Sequence, residues 1–409
     1  MNILYFGTVC DLESYELLLK DCSAKPSVAP ILFETALLKG FYKNGASVEI
    51  HSFPMIPTFP HFRILHFGGN SEKLSCGYSC RWLNTVNIPV LKQLSRRLDA
   101  RRRMKRWIKR NTGDGVIITY SIPPFMVKDV ITYARRYHVK AVAIVTDLLR
   151  DMYMNEDSST WMYKLKNLYL KPALRMQGEY DGYIYLTEAM RDAVAPDKPY
   201  IVMEGIADVS NLHPPQPREP STPRAIMYAG MLYEKYGVIN LLDAFQKLDL
   251  PSIELWLFGE GDAISEITKR AETDGRIRFF GRVSHDEILS YERKAALLVN
   301  PRDADELFTQ YSFPSKTIEY MFSGTPLLTT KLKGIPDEYF NYVFTAESNK
   351  PDDLADGIRR ALMHSEKERT KLGTDAQRFI AERKNAAIQA KRILSFLEEQ
   401  VKNNDKDQH

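Results

Sequence analysis

Twice along this chain, short and wholly apolar runs alternate with stretches of helical periodicity, and a proline-dense segment separates the two series. Residues 2–6 are the first apolar run, closed by Gly7 and Thr8. Residues 33–42 then carry apolar side chains at helical spacing, Asn44 and Gly45 supply a stop, and residues 47–53 read as a second strand. Further buried-strand runs lie at 116–120, 141–145 and 182–186, with helical stretches at 127–137 and 165–177 between them. Strand, helix and strand in this order predict a parallel sheet covered by helices.

Between 199 and 223 stand Pro199, Pro214, Pro215, Pro217, Pro220 and Pro223. Proline fixes φ and has no N–H, so this segment reads as a crossover between domains. A second series follows directly. It predicts strands at 225–229, 253–258, 276–280, 296–300 and 326–329, and helices at 239–248, 264–271, 287–294 and 315–322. The expected fold is α/β, with two Rossmann-like domains facing across a cleft. Residues 1–205 form the first domain and 206–384 the second. Residues 385–409 hold a C-terminal helix packing back on the first domain, within a helical run read as 376–401, and a polar tail. A length of 409 residues suits two domains of about 200 residues each.

The formal charge of +4 averages unlike parts. Residues 1–205 hold 28 basic and 20 acidic side chains, and the remainder 28 and 32. Ten basic residues and one acid, Asp99, fall within residues 92–110, which begin at Lys92 and end at Arg110. Leu91, Leu94, Leu98, Met104, Trp107 and Ile108 recur there at roughly helical spacing. That pattern predicts an amphipathic helix on an anionic membrane surface, where each basic residue adds about 1 kcal/mol. A solvated helix face is the plainer alternative. A nucleic-acid arm is disfavoured, because no nucleic-acid motif accompanies the charge. No run approaches the about 20 apolar residues of a membrane span, and the start lacks a signal-peptide pattern. The four cysteines, Cys10, Cys22, Cys76 and Cys80, are too few for a disulfide scaffold and complete no zinc site. A cytoplasmic location follows as the expectation.

Open parallel sheets bind ligands at the carboxyl ends of their strands, where loops lead into helix N-termini. In the second domain Gly230 follows a strand, and residues 230–237 (GMLYEKYG) open the next helix, with Lys235 as a cation for a phosphate. Gly259, in the F-G-E-G turn at 258–261, allows a second close approach of backbone to ligand. Neither domain holds a complete G-x-G-x-x-G, which disfavours a nicotinamide or flavin enzyme. Residues 311–326 read YSFPSKTIEYMFSGTP. Pro314 suits a first helical turn, and Ser312 or Ser315 can cap it. Glu319 lies one turn in, where a carboxylate can accept two hydrogen bonds from a diol.

In this order of features the C-terminal half resembles the retaining glycosyltransferases of family 4, of GT-B architecture. The Gly230 loop, the F-G-E-G turn, residues 276–282 (RIRFFGR), Asn300–Pro301 and the segment 311–326 carry the resemblance. The last is similar to the form in bacterial capsule and exopolysaccharide transferases. Weaker matches lie at 33–38, 186–190 and 204–208. The resemblance implies transfer of a sugar from a UDP- or GDP-linked donor to a glycan or lipid-linked glycan acceptor. Anomeric configuration would be retained, in capsule, exopolysaccharide or lipopolysaccharide biosynthesis, without a metal or other cofactor. By position, Glu319 corresponds to the ribose-binding glutamate and Gly230 and Lys235 to the diphosphate loop. Gly259, Tyr311, Ser312, Phe313, Pro314, Ser315 and Lys316 would lie along the donor. The sequence departs from the family at three places. Tyr311 stands where the first acid of an E-x7-E motif belongs, leaving Asp303, Asp305 or Glu306 to replace it. Met231 stands in place of an arginine, and Lys235 precedes Gly237 by two residues. The first-domain histidine is absent, and Asp147 takes a comparable strand-tip place, so Asp147 and Lys235 are the candidate catalytic residues. These departures sustain an alternative, a non-catalytic relative that binds nucleotide or scaffolds a glycan assembly complex.

Overall fold

The computed structural model describes residues 1–406 except 21, 23–25, 112–114, 151–160 and 210–223; the side chains of 161–168 and 401–406 also lie outside the description. Most of the proline-dense crossover therefore lies outside the described residues. The chain divides into two compact units, residues 1–206 with 386–409, and residues 207–385.

The first unit holds strands β1 (Asn2–Gly7), β2 (Ser47–Ser52), β3 (His66–Phe67), β4 (Ser71–Lys73), β5 (Ser79–Trp82), β6 (Thr85–Val86), β7 (Gly115–Tyr120), β8 (Lys140–Val145), β9 (Gly182–Tyr185) and β10 (Tyr200–Val202). Its helices are α1 (Leu12–Leu18), α2 (Ala29–Lys43), α3 (Leu91–Arg110), α4 (Val127–Tyr137), α5 (Trp161–Met176) and α6 (Ala189–Val194). The main sheet runs β10-β9-β8-β7-β1-β2-β5-β4, parallel except for the β4–β5 pair. The central strands are apolar on both faces because helices cover both, as a parallel sheet requires. Ile3, Tyr5, Val116, Ile118, Val142 and Ile144 meet Leu37, Leu38 and Phe41 of α2 in one core.

In the second unit lie β11 (Arg224–Met231), β12 (Ile253–Glu260), β13 (Ile277–Gly281), β14 (Leu297–Asn300), β15 (Leu327–Thr330) and β16 (Phe344–Ala346). They form an all-parallel sheet ordered β13-β12-β11-β14-β15-β16. Around it stand α7 (Val238–Gln246), α8 (Ile264–Thr273), α9 (His285–Lys294), α10 (Ser315–Ser323), α11 (Pro351–Met363) and α12 (Glu366–Arg383). The final helix, α13 (Ala386–Lys406), belongs to the first unit and packs on α2.

Two expectations change in three dimensions. The helical run read over 376–401 is two helices, α12 and α13, broken at Lys384 and Asn385. There the chain is stitched to the other strand of the crossover. Ala207 N–H donates to Lys384 C=O at 2.9 Å, and buried Lys384 pairs with Glu338 at 2.6 Å.

The amphipathic face of α3 is also turned. Met104, Trp107 and Ile108 are core residues, whereas Leu91, Leu94 and Leu98 are exposed. Three of the helix's cations point inward, because they can satisfy buried carbonyls and one carboxylate. Lys92 donates to the Ile56 carbonyl and to Thr58 Oγ1 (3.1 Å), and Arg96 to the Pro54 carbonyl (2.9 Å). Arg103 donates to Asp99 (2.9 Å) and to the Trp82 carbonyl (3.0 Å).

Candidate active site

The second unit's strand order reverses between β11 and β14: β12 and β13 lie to one side, β15 and β16 to the other. Such a switch point opens a crevice at the carboxyl ends of the strands. Direct β11–β14 pairing stops at Met227 and Leu298. Beyond it, the buried Tyr320 hydroxyl occupies the gap, donating to Ala229 C=O (2.9 Å) and accepting from Ala229 N–H (2.8 Å). Tyr320 thereby fastens α10 to the tip of β11, next to Gly230.

The Gly230 loop folds tightly against this edge. A 3-10 turn at Glu234–Tyr236 ends in Gly237, at φ +81°, where a Cβ would stand 1.9 Å from the Pro301 carbonyl oxygen. Gly259 has φ +131°, and its Cβ would meet the Gly230 carbonyl oxygen at 1.8 Å. Only glycine allows the tips of β11, β12 and β14 to close to this distance. Exposed Lys235 lies over the Tyr233 and Tyr236 rings, 5.7 and 5.3 Å from their centroids. Arg302, just past β14, stacks on the same Tyr236 ring, 4.6 Å from its centroid. Two cations thus flank one aromatic residue at the loop. Lys235 is expected from the sequence, whereas Arg302, beside the Asn300–Pro301 strand end, carries no sequence signal of its own. Met231 is exposed.

The segment 311–326 forms the next wall. Tyr311 closes a 3-10 turn, Leu307–Tyr311, and α10 begins at Ser315. Pro314 occupies the cap position and no side chain caps the helix, contrary to the expectation for Ser312 or Ser315. Ser315 is itself the first helical residue, so its side chain cannot take the N-cap role. Helix α7 likewise starts from Gly237 without a side-chain cap. Both helices leave first-turn N–H groups open to an anion. Phe313 and Pro314 are buried, with the Phe313 ring against Tyr339 at 5.6 Å. Ser312, Lys316 and Glu319 are partly exposed, and Ser315 is exposed. Asp303, Asp305 and Glu306 lie in the loop after β14, where Asp303 Oδ1 accepts from Asp305 N–H at 2.9 Å.

On α10, Lys316 forms an ion pair with Glu319 and lies 3.9 Å from Oε1 of Glu292. Glu292, on α9, is fully buried, and as a carboxylate it would have no hydrogen-bond partner for either oxygen. Burial and the adjacent Glu319 charge hold its carboxyl well above the usual range, so it keeps its proton. Burial works to raise Glu319 as well, but the Lys316 charge and hydrogen bonds with Glu292 and Lys316 bring it below the usual value. The pair is therefore one acid and one carboxylate, joined by a hydrogen bond. Nothing in the sequence singles out Glu292 within the helix expected at 287–294; only the packing of α9 on α10 reveals it. Tyr291 anchors that helix, wedged against Phe258 (4.8 Å), Phe280 (5.1 Å) and Trp256 (5.4 Å).

Asp147 is carried by the first unit, exposed at the carboxyl tip of β8. That sheet reverses between β1 and β7. At the tip of β1, the buried Glu34 carboxylate accepts from Tyr5 Oη–H (2.8 Å) and Thr8 N–H (2.8 Å), holding the Gly7–Thr8 turn. Among the described residues, no group of three His, Cys, Asp or Glu side chains is placed to hold a metal ion.

Residues 210–379 match the family model for glycosyl transferases group 1, so the second unit carries a domain of that kind. An uncharacterized glycosyltransferase of Methanocaldococcus jannaschii is 27% identical over 158 residues, covering 37% of this chain and 42% of that protein. The match thus spans less than half of that relative. Among solved structures, sucrose-phosphate synthase of Thermosynechococcus elongatus superposes with a TM-score of 0.68 at 15% identity, over 98% of this chain and 99% of the other. The lipopolysaccharide outer core galactosyltransferase WaaB gives 0.59 at 13% identity, over 98% and 100%. Anabaena HepE, solved with UDP and glucose, gives 0.63 at 15%, over 98% and 100%. The fold is GT-B, with two Rossmann-like domains.

Proposed function

We propose that this protein is a glycosyltransferase that moves a hexose-type sugar from a nucleotide-sugar donor to a glycan or lipid-linked glycan, with retention of anomeric configuration. The observation that carries the reading is the convergence at one strand-switch point of two uncapped helix N-termini, two cations and an ionised glutamate. In the proposed complex the carboxylate of Glu319 accepts from the two ribose hydroxyls of a UDP or GDP moiety. The diphosphate lies against the Gly230 loop, the α7 and α10 N-termini, Lys235 and Arg302. Gly259, Tyr311 and the polar edge of Ser312, Ser315 and Lys316 border the donor, while Phe313 and Pro314 shape the wall from within.

Reaction breaks the bond between the sugar C1 and the diphosphate oxygen as an acceptor hydroxyl oxygen bonds C1 from the same face, and the hydroxyl proton passes to the leaving diphosphate. Charge grows on the leaving diphosphate, where fixed N–H dipoles and Lys235 stabilise it without reorganising. Holding both substrates in place supplies the rest. The chain's own groups suffice for this chemistry, and Asp147 is assigned to the acceptor. The HepE complex with UDP and glucose supports the donor class by analogy. A role in capsule, exopolysaccharide or lipopolysaccharide assembly, in the cytoplasm at the inner membrane face, completes the proposal.

The decisive measurement is donor turnover by the wild type and Glu319→Ala with a panel of UDP- and GDP-sugars. Turnover that Glu319→Ala abolishes supports the reading. Nucleotide binding with no turnover of any donor would favour a non-catalytic scaffold.

A further inference from the structure

The described surface of the first unit exposes a run of apolar side chains drawn from two separate stretches of sequence. One is the loop at 57–65, the other the chain from Ile88 into α3. Buried Asn87 ties them together. Its side-chain amide donates to the Pro57 and Ile64 carbonyls (3.1 and 3.2 Å), and its N–H donates to the Leu65 carbonyl (2.7 Å). Phe59 N–H in turn donates to Asn87 C=O (3.2 Å). The β3–β6 ribbon continues the same pairing, with His66 opposite Val86. Phe59, Ile64 and Leu65 are thereby held beside Ile88, Val90 and the first turns of α3. All are exposed, Val90 at 73% and Leu65 and Leu94 at 49% each. Val90 also has φ +66°, a backbone state unfavourable to a β-branched residue. An apolar ridge with a strained valine as its most exposed point is costly to a protein surface facing only water.

Along α3 the exposed stripe changes character. Leu91, Leu94 and Leu98 follow one another at helical spacing, and Arg102, Lys105 and Lys109 continue the same face. Among the described residues no carboxylate pairs with Arg102, Lys105, Arg106 or Lys109. By contrast Arg97 and Arg110 are paired with Asp129 and Glu49. Leu94 and Lys105 are eleven residues apart, about 16 Å along the axis. The surface is thus an apolar prow followed by unpaired positive charge.

We propose that this ridge inserts into an anionic lipid leaflet, with Phe59, Ile64, Leu65, Val90, Leu91 and Leu94 among the acyl chains. Arg102, Lys105 and Lys109 contact the phosphate groups. The charge complementarity selects the occupant: a nucleic acid offers nothing to the leucines, and a bilayer offers apolar depth beneath an anionic plane. The inference deepens the proposed membrane location and confines it to the exposed leucine end of α3, since Met104, Trp107 and Ile108 are buried. It is independent of the donor chemistry.

The test is co-sedimentation of the full chain with vesicles of phosphatidylcholine alone or with 30% phosphatidylglycerol, from low to high salt. The wild type should bind the anionic vesicles, more weakly at high salt. Val90→Asp/Leu94→Asp should lose at least tenfold in partitioning at every salt concentration. Arg102→Glu/Lys105→Glu/Lys109→Glu should lose the salt-sensitive part. A tryptophan introduced by Leu94→Trp should be quenched by brominated lipid, beyond the wild-type background. UDP-induced thermal stabilisation, measured on each variant, separates a failure of the ridge from misfolding or a failure of the donor site. Equal vesicle binding by Val90→Asp/Leu94→Asp and wild type would overturn the proposal. So would no vesicle binding together with a change from oligomer to monomer in that variant, which would make the ridge a subunit interface.

Discussion

Glu292 holds Glu319 from inside the protein: the buried acid on α9 and the ionised carboxylate on α10 share a hydrogen bond and flank the ammonium of Lys316. A neutral acid in this position donates a hydrogen bond and adds no charge. It fixes the carboxylate that faces the ribose without opposing its ionisation.

Glu292→Gln keeps a neutral donor of similar shape, so donor KM should stay within about threefold of wild type. Glu292→Leu removes the hydrogen bond, and donor KM should rise about tenfold, near 1.4 kcal/mol, with kcat changed less. The sign of the pH effect follows from the raised carboxyl. Its neutral form is favoured in the folded protein, so its contribution is intact at low pH and is lost as pH rises through its folded pKa. Wild-type donor affinity should fall in that alkaline direction, and Glu292→Gln should flatten the fall. A KM profile unchanged by Glu292→Gln would mean that Glu292 only fills space.

Glu319 is proposed to read the ribose through both hydroxyls. Removing one hydroxyl from the ligand should then cost the wild type about 1–3 kcal/mol, as UDP is compared with 2′-deoxy-UDP. The comparison applies with GDP if guanine nucleotides bind instead. In Glu319→Ala the preference should vanish while residual diphosphate binding remains. Isothermal titration with the paired nucleotides measures this, and equal discrimination by both proteins would remove Glu319 from the ribose.

The central strands were legible because they are continuous apolar runs, and both sheets form where those runs fall. Gly237 and Gly259 were legible as turns, since close strand tips leave a glycine signature. What escaped depends on which neighbour a face meets. The α3 periodicity defines two faces, but only the carbonyls of Pro54, Ile56 and Trp82 decide that Arg96, Lys92 and Arg103 turn inward. Glu292 and Arg302 carry no local pattern. Each matters through a residue distant in sequence, Glu319 in one case and Tyr236 in the other.

Lys235 and Arg302 flank Tyr236 and should divide the work on the diphosphate. Either alanine variant should lose about tenfold in nucleotide diphosphate affinity, the range for one charge-assisted contact. The loss should be smaller for the monophosphate. If Lys235 also stabilises the leaving group, Lys235→Ala should lower kcat further than Arg302→Ala does. Equal losses for diphosphate and monophosphate would place neither cation at the β-phosphate.

Gly259→Ala would drive a Cβ to 1.8 Å from the Gly230 carbonyl oxygen at φ +131°, and the nearest atoms are all Gly230 backbone. No rotamer relieves this contact, so a loss of at least ~2 kcal/mol is expected. Gly275→Ala is the control, since nothing lies within 4 Å of its Cβ position. Urea titration of the two variants should show a lower midpoint for Gly259→Ala alone.

Glu34 makes the first unit sensitive to pH in a calculable way. Burial pushes its carboxyl up to about 7, against the opposing hydrogen bonds from Thr8, Tyr5 and the Val9 backbone. The folded protein therefore keeps this proton from about pH 4.5, where the unfolded chain releases it, to about pH 7. Within that window the native state binds more protons than the unfolded state, so stability falls as pH rises. The shift corresponds to about 3 kcal/mol if fully expressed. Above pH 7 the contribution is flat. Glu34→Gln cannot ionise, so its stability relative to wild type should climb across the window by up to that amount and then level. Any constant offset from replacing an acceptor by an amide leaves this slope untouched. Parallel stability curves for the two proteins from pH 4.5 to 8, measured by urea denaturation, would show that Glu34 is ionised throughout. The Gly7–Thr8 turn would then be held by a carboxylate, with no pH response from this residue.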